Sequence, residues 1–496
     1  MQGTLLKLSN DILAELPKGV SEPTYNRTKI TPGIVHIGLG NFHRAHQSWY
    51  LHRLMQQDEA LNWGIIGAGV RAGDEAQRQR LAAQDYLTTL IELAPNGCSA
   101  EVVGSMIGFV PVQDDNAALI AQMADPAIRI VALTVTEGGY YIDPVAQAFD
   151  ADHPDMLHDA AHPDRPRTAF GAMIAALKRR RDTGAGPFTG QSCDNLQGNG
   201  AILRQTVVSL ARLSDPELAN WIEANCTFPN SMVDCIVPAT GPKELELVKS
   251  FGIEDAAPVT HENFRQWVIE DNFCAGRPDW DKAGATFTDD VHAFEAMKIR
   301  LLNGSHQLIA NAGEILSIAF ISYCMNRALI GNYVRKVAKT EIARQVDPVP
   351  GMAPAAYVDL VDRRFSNPEI IDTVRRVAFD GASRHPGFIL PTLRDALAKD
   401  DPIDGLALSQ AIWARMCEGT REDGSAIAPN DPIWDQLRIA AKTAKTDPQA
   451  WLDQRDLYGD LAENPAFQAR FRHWLTMIWS DGLETTLRSY LQDQDK

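Results

Sequence analysis

The sequence predicts an α/β domain over residues 1–285 and a mostly α-helical domain over residues 286–496. In the first half, short apolar runs alternate with amphipathic helical segments, a pattern typical of a parallel sheet whose faces are covered by helices. From about residue 286 onward, long helical patterns dominate and strand signals are scarce. A chain of 496 residues is also too long for one ordinary core, so two domains are expected.

Each element of the first domain is predicted from a bounded apolar run or from a helical period. The predicted strands are 33–40, 63–70, 128–138 and 187–195. The predicted helices are 43–57, 117–125 and 168–184, with a polar helix or turn at 74–86. The stretch 276–290, rich in Gly, Asp and Pro, predicts the domain boundary. Beyond it the strongest helical patterns are 294–326, 328–345 and 353–364.

Charge and cysteine usage exclude several classes of function. The formal net charge of -17 argues against nucleic-acid binding and against anionic membrane surfaces. The 7 cysteines are scattered without a C-x-x-C pair, so the sequence predicts neither a disulfide framework nor a zinc cluster. The N-terminal segment carries acids and lacks an apolar signal region, so we expect a cytoplasmic protein. A monomer is compatible with the sequence, which leaves the oligomeric state open.

A glycine turn follows the first predicted strand. The segment "GIVHIGLGNFHRAHQ" places Gly38-x-Gly40 between that strand and a helix, where a dinucleotide's pyrophosphate binds to free main-chain N–H groups. We assign Gly38, Gly40, Asn41 and Phe42 to cofactor binding. The third glycine of the usual fingerprint is replaced by His43. A tight strand–helix turn without a ligand is the alternative.

A second glycine pair, Gly67-x-Gly69, matches the fingerprint more closely but falls at the end of the second strand. At that place an acidic residue should bind the hydroxyls of the adenosine ribose. Asp74 is the nearest candidate, and its carboxylate would favour NAD because it repels the 2′-phosphate of NADP. A helix N-cap is the alternative role of Asp74, and the two roles are compatible.

The segment "MKIRLLNGSH" combines Lys298, Asn303 and His306 in a helical pattern. At roughly 100° per residue, Asn303 lies about 140° and His306 about 80° around a helix from Lys298, on one broad face. We interpret the three as meeting at a cleft between the domains, as general base, oxygen-binding amide and hydroxyl-binding group. The alternative is a surface lysine followed by a helix that ends at Asn-Gly.

Seven segments together resemble the polyol-specific long-chain dehydrogenases, a family that includes mannitol 2-dehydrogenases, fructuronate reductases and arabinitol dehydrogenases. The segments, in chain order, are "IVHIGLGNFHRAHQ", "LTVTEGGYYID", "SCDNL", "FPNSMVD", "FRQWVIEDNF", "GRPDW" and "MKIRLLNGSH". The resemblance covers nearly the whole chain. It implies a Rossmann-type N-terminal domain, a helical C-terminal domain, NAD(P) as cofactor, no metal and a lysine as general base.

The resemblance also implies roles for the matching residues of the catalytic site. Lys298 resembles the base that accepts the alcohol proton. Asn303 and Asn195, the latter in "SCDN", resemble the two amides that bind the reacting oxygen.

Four further residues match positions at which the family binds its substrate. They are His306, Asp234, Arg376 and Arg384. His306 and Asp234 match positions near the substrate hydroxyls, and the two arginines match two cationic residues. Arg384 departs from the lysine that is common in the mannitol enzymes, which leaves its contact open.

Within the family, two features favour a neutral polyol over a sugar acid. "TEGGY" has Gly138 where the sugar-acid reductases carry lysine, and "SRHPGFILPTLRD" resembles the mannitol type. The resemblance therefore implies oxidation of D-mannitol to D-fructose with NAD. Fructuronate reductase and arabinitol or sorbitol dehydrogenase remain alternatives, as does, in a different class, a dinucleotide-binding sensor without turnover.

Overall fold

The computed structural model describes residues 5–143 and 148–492. The chain forms two compact units, Met1–His292 and Ala293–Lys496. The proposed domain boundary at 285/286 stays a prediction. Residues 1–4 of the N-terminal segment, from which we expected no signal peptide, lie outside the described residues. No helix in the described ranges is long and apolar enough to cross a membrane.

The first unit is built around a five-stranded parallel sheet. In spatial order its strands are Thr189–Ser192, Ile130–Leu133, Pro32–Ile37, Gly64–Ala68 and Met106–Phe109. The chain starts at the central strand, moves outward to one edge, and then returns to the other side of the centre. This order is that of a Rossmann-type sheet, whose ligands bind at the carboxyl ends of the strands where the direction reverses.

Helices cover both faces of this sheet, as predicted. Along the central strand Ile34 packs into one hydrophobic cluster and Val35 into the other, so the strand is apolar without alternation. The α-helices described in the first unit include Asn41–Ala45, Gln47–Met55, Asp74–Ala82, Ala117–Ala124, Pro154–Ala161, Ala169–Thr183, Asn199–Ser214, Pro216–Asn225 and Pro242–Ser250. The predicted helix 43–57 is interrupted at His46, where the backbone leaves the helical region and the ring bonds the Gln266 carbonyl at 3.1 Å.

The four predicted strands are confirmed, although several others were not predicted. Strand Met106–Phe109 completes the central sheet, and Thr88–Ala94 and Gly97–Val103 form an antiparallel hairpin. The remaining strands are Leu6–Lys7, Val20–Ser21, Ile142–Asp143, Ala148–Phe149, Ser231–Asp234, Ile253–Glu254, Val259–Glu262, Gln266–Glu270 and Thr286–Thr288. A signal for the hairpin was present, because its two loop residues are Pro95 and Asn96, between the paired Ala94 and Gly97, and Pro and Asn are typical turn residues.

The second unit is helical, as predicted. Its α-helices include Gly304–Ile315, Ile321–Asn326, Ala328–Val337, Pro354–Phe365, Val374–Val377, Gly381–Phe388, Leu390–Ala398, Asp404–Cys417, Trp434–Ala444, Gln449–Leu452, Arg455–Tyr458, Pro465–Asp481 and Leu483–Gln492. Helix Asp404–Cys417 is buried along nearly its whole length, so the other helices pack around it. Two stretches of π-helix, Lys298–Asn303 and Ala338–Ile342, interrupt the α-helical runs that were predicted over 294–326 and 328–345.

Glu341 lies in the second π-helix and is buried at the start of helix Asp404–Cys417. Its carboxylate accepts hydrogen bonds from Gly405 N at 2.7 Å, Leu406 N at 2.9 Å and the Tyr490 hydroxyl at 3.1 Å. Burial raises the pKa of Glu341 from 4.5 to about 7, although these hydrogen bonds oppose the change. The ionised form of this carboxyl is therefore unfavourable in the folded protein.

We expect this carboxyl to make the stability of the protein depend on pH. The folded chain binds the proton more tightly than the unfolded chain, so the contribution is complete below pH 4.5 and is lost as the pH rises through about 7. A pKa change of this size corresponds to about 3 kcal/mol. Glu341→Gln should flatten the pH dependence of the unfolding free energy in urea across this range, and exposed Glu463→Gln should not. An unchanged slope in Glu341→Gln would contradict the assignment.

Candidate active site

The glycine turn, residues 38–40, brings the main chain to the carboxyl end of the central strand. Gly38 has φ +88°, and a Cβ at this position would overlap the carbonyl oxygen of Thr134, so only glycine fits. Its N–H donates to Ala68 O at 3.0 Å. A Cβ at Gly40 would instead meet open space. At Gly38 and Gly40 the turn therefore presents main chain without side chains to the space above the sheet, whereas the Leu39 side chain packs into the core.

A cavity of about 480 Å³ opens beside this turn in the first unit. It is lined by residues that follow three central strands and by the start of helix Ala169–Thr183. Among them are Gly38, Gly40, Val70, Arg71, Asp74, Thr134, Val135, Thr136 and Phe170. Apolar side chains, a glycine turn and a carboxylate at one cavity suit the base, pyrophosphate and ribose of a dinucleotide.

Asp74 lies at the edge of this cavity, at the first position of helix Asp74–Ala82. Its Oδ2 accepts hydrogen bonds from the N–H groups of Val70 and Arg71, both at 3.0 Å. Gly73 occupies the N-cap position, so the alternative role of Asp74 as N-cap is wrong. The carboxylate instead stabilises the turn that follows strand Gly64–Ala68, and this position places it beside the cavity.

Asn41 and Phe42 begin the short helix after the glycine turn. The Asn41 amide donates to Pro238 O and to Thr240 Oγ1, both at 2.9 Å, and its Oδ1 accepts from Arg44 at 2.7 Å. The Asn41 side chain is thus held by the protein. Phe42 stacks on His46 with ring centroids 4.8 Å apart.

The segments that carry Asn195 and Asp234 converge in the first unit. Asn195 is exposed just beyond strand Thr189–Ser192, and Asp234 is the buried last residue of strand Ser231–Asp234. The Ser231 hydroxyl donates to Ser192 O at 2.7 Å and joins the two strands. The two strands belong to different sheets, and both predicted residues lie three positions beyond this contact.

In the second unit, the segment that carries Lys298 is π-helical. Because a π-helix bonds residue i to i+5 instead of i+4, each turn holds roughly one residue more than an α-helical turn. Lys298 and Asn303, five residues apart, therefore lie close on one face instead of about 140° apart, and the angle from the α-helical period was wrong. Lys298 is only 8% exposed, and the helix continues through Gly304. The alternative of a surface lysine followed by a helix end at Asn-Gly is therefore also wrong.

His306 lies beyond this π-helix and packs against Phe365, with ring centroids 4.0 Å apart and nearly parallel planes. Burial lowers the pKa of His306 to about 4; the charge of Asp372 opposes this change and that of Arg376 adds to it. The ring is therefore neutral at neutral pH. Its Nε2 is buried and, among the described residues, has no hydrogen-bond partner.

The two predicted arginines differ in their surroundings. Arg376 forms a bidentate pair with Asp372 through bonds of 2.8 and 2.7 Å. Arg384 donates to Val377 O at 2.6 Å. Its helix, Gly381–Phe388, approaches Gly304 so closely that a Cβ there would lie 3.4 Å from the last carbonyl of the helix. The structure thus brings both arginines into the neighbourhood of His306.

Sequence reasoning missed two acidic residues of these sites. Asp372 compensates the charge of Arg376, and its only sequence signal is the i, i+4 spacing to that arginine. Asp194 is buried in the first unit and bonds to residues more than fifty positions earlier. Among the described residues, no group of three or more His, Cys, Asp or Glu side chains is placed to hold a metal ion.

A parallel sheet in this order, with a glycine turn and a cavity at its switch point, defines the nucleotide-binding half of a dinucleotide-dependent oxidoreductase. Comparison with known families specifies the class. The model of the mannitol dehydrogenase Rossmann domain matches residues 32–282, and that of the mannitol dehydrogenase C-terminal domain matches residues 290–479. The chain belongs to the mannitol dehydrogenase family, so the predicted family and fold class are confirmed.

Two relatives show how far the similarity extends. The mannitol 2-dehydrogenase of Cereibacter sphaeroides is 53% identical over 476 residues, which are 96% of this chain and 100% of the relative. That of Aspergillus terreus is 38% identical over 498 residues, covering 98% and 99% of the two chains.

Two solved structures resemble the whole chain. Mannitol 2-dehydrogenase of Pseudomonas fluorescens, in a ternary complex with NAD and D-mannitol, has a TM-score of 0.85 and 40% identity, and the match covers 98% of this chain and 100% of that one. A substrate-free D-sorbitol dehydrogenase has a TM-score of 0.91 and 32% identity, with 97% and 100% coverage.

Proposed function

We propose that this protein catalyses the reaction D-mannitol + NAD⁺ ⇌ D-fructose + NADH + H⁺. The observation that carries the proposal is the 53% identity to a mannitol 2-dehydrogenase over almost the complete length of both chains. The solved relative that was crystallised with NAD and D-mannitol supports the same pair of ligands. The glycine turn and the polar side chains of the second unit would supply groups that this reaction needs.

The cavity of the first unit is the proposed NAD site. The glycine turn would bind the pyrophosphate through its main chain, with Asn41 N–H at the helix start, and Asp74 would accept hydrogen bonds from the adenosine ribose. Oδ2 of Asp74 already accepts two main-chain bonds, so the ribose hydroxyls would use its second oxygen, Oδ1. NAD⁺ bound in this cavity would supply the hydride acceptor, its nicotinamide ring.

We expect Asp74→Ala to narrow the preference for NAD over NADP by about tenfold or more, because a carboxylate beside the ribose repels a 2′-phosphate. A tenfold change corresponds to about 1.4 kcal/mol of differential binding. The ratio of kcat/KM for the two cofactors measures the effect. Asp74→Asn is the matched variant, since it removes the charge but keeps an acceptor for the turn. Equal use of both cofactors by the unaltered protein would defeat the assignment.

The proposed chemistry uses Lys298 as the base that takes the proton of the C2 hydroxyl as the hydride leaves C2. Asn195 and Asn303 would donate hydrogen bonds to the oxygen on which negative charge develops. In the reverse direction, protonated Lys298 would return the proton to that oxygen. The burial of Lys298 supports this role because burial disfavours the charged form of a lysine. Its π-helix, which places Asn303 on the same face, supports it as well.

The remaining predicted residues would bind the other hydroxyls of the substrate. We propose His306 and Asp234 as hydroxyl partners and Arg376 and Arg384 as donors. Because Asp372 compensates the charge of Arg376, that arginine suits a neutral polyol better than a carboxylate. A Cβ at Gly138 would meet no atom of the described residues within 4 Å, so the backbone does not require glycine there. The absence of the sugar-acid lysine therefore supports a neutral substrate.

Steady-state rates with a panel of substrates test this proposal. D-mannitol should give a higher kcat/KM with NAD⁺ than D-sorbitol or D-arabinitol, and fructose should be reduced faster than fructuronate. The fold similarity to a D-sorbitol dehydrogenase makes D-sorbitol the second candidate. A preference for fructuronate would instead identify the protein as a sugar-acid reductase of the same family. Binding of NADH without turnover of any of these compounds would instead indicate a sensor.

We also propose that the enzyme works in the cytoplasm without nucleic-acid or membrane partners. The net charge of -17 and the seven free cysteines support this. Size-exclusion chromatography with light scattering would show whether it is a monomer.

A further inference from the structure

The buried carboxylate of Asp194 binds one wall of the cofactor cavity. Its two oxygens accept hydrogen bonds from Val135 N at 3.0 Å, Thr136 N at 2.9 Å and the Tyr140 hydroxyl at 2.6 Å. Burial, together with the charge of Asp194, raises the pKa of Tyr140 well above its ordinary value, so this hydroxyl remains a donor. Val135 and Thr136 line the cavity. One carboxylate therefore fixes the whole wall segment, residues 135–140.

The wall segment needs such a partner because its backbone is strained. Thr136 has φ +73° and ψ 157°, a region that is sparsely populated for any residue with a side chain and especially for a β-branched one. Strained backbone of this kind persists only where the surrounding structure holds it. The N–H of the strained residue Thr136 and that of Val135 before it both donate to the Asp194 carboxylate.

Asp194 is equally fixed on its other side, where it directly precedes Asn195. Its carbonyl oxygen accepts from the Asn199 amide at 3.0 Å and from Leu196 N at 2.9 Å. The same Asn199 amide donates to Ser231 O at 2.8 Å and so joins this turn to the strand that ends at Asp234. The orientation of Asn195 therefore depends on the position of Asp194.

We propose that Asp194 is a positioning residue that couples the cofactor wall to the turn carrying Asn195. Its carboxylate and its main chain hold the two together, so that the wall segment and the oxygen-binding amide keep a fixed relation within the first unit. The part of this inference that concerns Asn195 rests on the proposed function, whereas the part that concerns the cofactor wall does not.

Asp194→Asn tests the coupling, because the amide replaces one acceptor oxygen by an NH₂ group that would face a main-chain N–H. Hydrogen bonds to a charged group are typically worth about 10- to 100-fold in an equilibrium. We expect the Kd of NADH, from fluorescence titration, to rise about tenfold or more. We expect kcat for mannitol oxidation at saturating NAD⁺ to fall by a similar factor.

Asp255→Asn is the matched control. Asp255 is also buried in the first unit and accepts from two main-chain N–H groups, those of Thr89 and Ala257 at 2.7 Å, and from the Gln84 amide at 2.8 Å. Its loss should lower the melting temperature by as much as the loss of Asp194 does, with the Kd of NADH and kcat unchanged within about twofold. If Asp194→Asn changes these two quantities no more than the control does, the proposal is overturned.

A double-mutant cycle separates this proposal from the proposed function. If Asp194 acts on the reaction through Asn195, Asp194→Asn should lower kcat in the unaltered protein but not in the Asn195→Ala background. Equal effects in both backgrounds would overturn the coupling. If Asn195→Ala alone leaves kcat unchanged, the proposed role of Asn195 fails, while the Kd of NADH still tests the wall segment.

Should Asp194→Asn fold poorly, Tyr140→Phe provides a second test, because it removes one hydrogen bond to the carboxylate. This variant should also raise the Kd of NADH, and an unchanged Kd would overturn the proposal.

Discussion

Lys298→Ala should lower kcat about 10²–10⁴-fold for both mannitol oxidation and fructose reduction, the usual cost of losing a general base. The Kd of NADH should stay within about twofold, because the cofactor cavity lies in the first unit. In the unaltered protein, oxidation should rise with pH and level off once the lysine is neutral. Reduction should fall over the same range, since it needs the proton. Lys298→Ala should lose both pH dependences.

Lys339→Ala is the matched control for this prediction. Lys339 also lies in a π-helix of the second unit, but it is exposed and pairs with Asp359 at 2.7 Å. Its loss should leave kcat within about twofold. Near-normal turnover of Lys298→Ala, with an unchanged pH profile, would show that Lys298 is not the base.

Asn303→Ala and Asn195→Ala should each lower kcat about 10²–10³-fold, the typical cost of one hydrogen bond to an oxygen that gains charge in the transition state. The KM of mannitol should change much less, because the bond strengthens only as the charge develops. The double variant should lose less than the product of the two single losses, since groups that act on one oxygen are not additive. Asn332→Ala, on an exposed face of the second unit, serves as control.

A higher KM of mannitol with an unchanged kcat in either asparagine variant would contradict this prediction. That amide would then bind the substrate equally in the ground and transition states. It would then belong with His306 and Asp234 as a hydroxyl partner.

The fold was predictable where one local pattern decides the structure. Within the apolar runs at 33–40 and 128–138, the strand residues 33–37 and 130–133 are buried, and burial on both faces of the sheet removes the alternation that is typical of a strand with one exposed face. Short strands whose partners lie far away in the chain carry no such pattern, so Ser231–Asp234 and Gln266–Glu270 were missed. The hairpin Thr88–Ala94/Gly97–Val103 did have a local signal, the turn residues Pro95 and Asn96, which was overlooked.

The candidate site was predictable in composition but not in geometry. The resemblance identified Lys298 and Asn303, whereas the angle between them was wrong, because a period of about 100° per residue presupposes an α-helix and the segment is π-helical. The partners of Asp194 lie 54 to 59 residues earlier, at a distance no local pattern reaches. Asp74 had two compatible roles in the sequence, and the backbone excludes its role as N-cap.

Transfer of deuterium from D-[2,5-²H₂]mannitol tests the central claim most directly, because C2 and C5 of D-mannitol are equivalent and either can lose the hydride. The proposed reaction predicts one deuterium in the reduced cofactor, detected by mass spectrometry, for each fructose formed. A reduced cofactor without deuterium, or mannose formed by oxidation at C1, would contradict it.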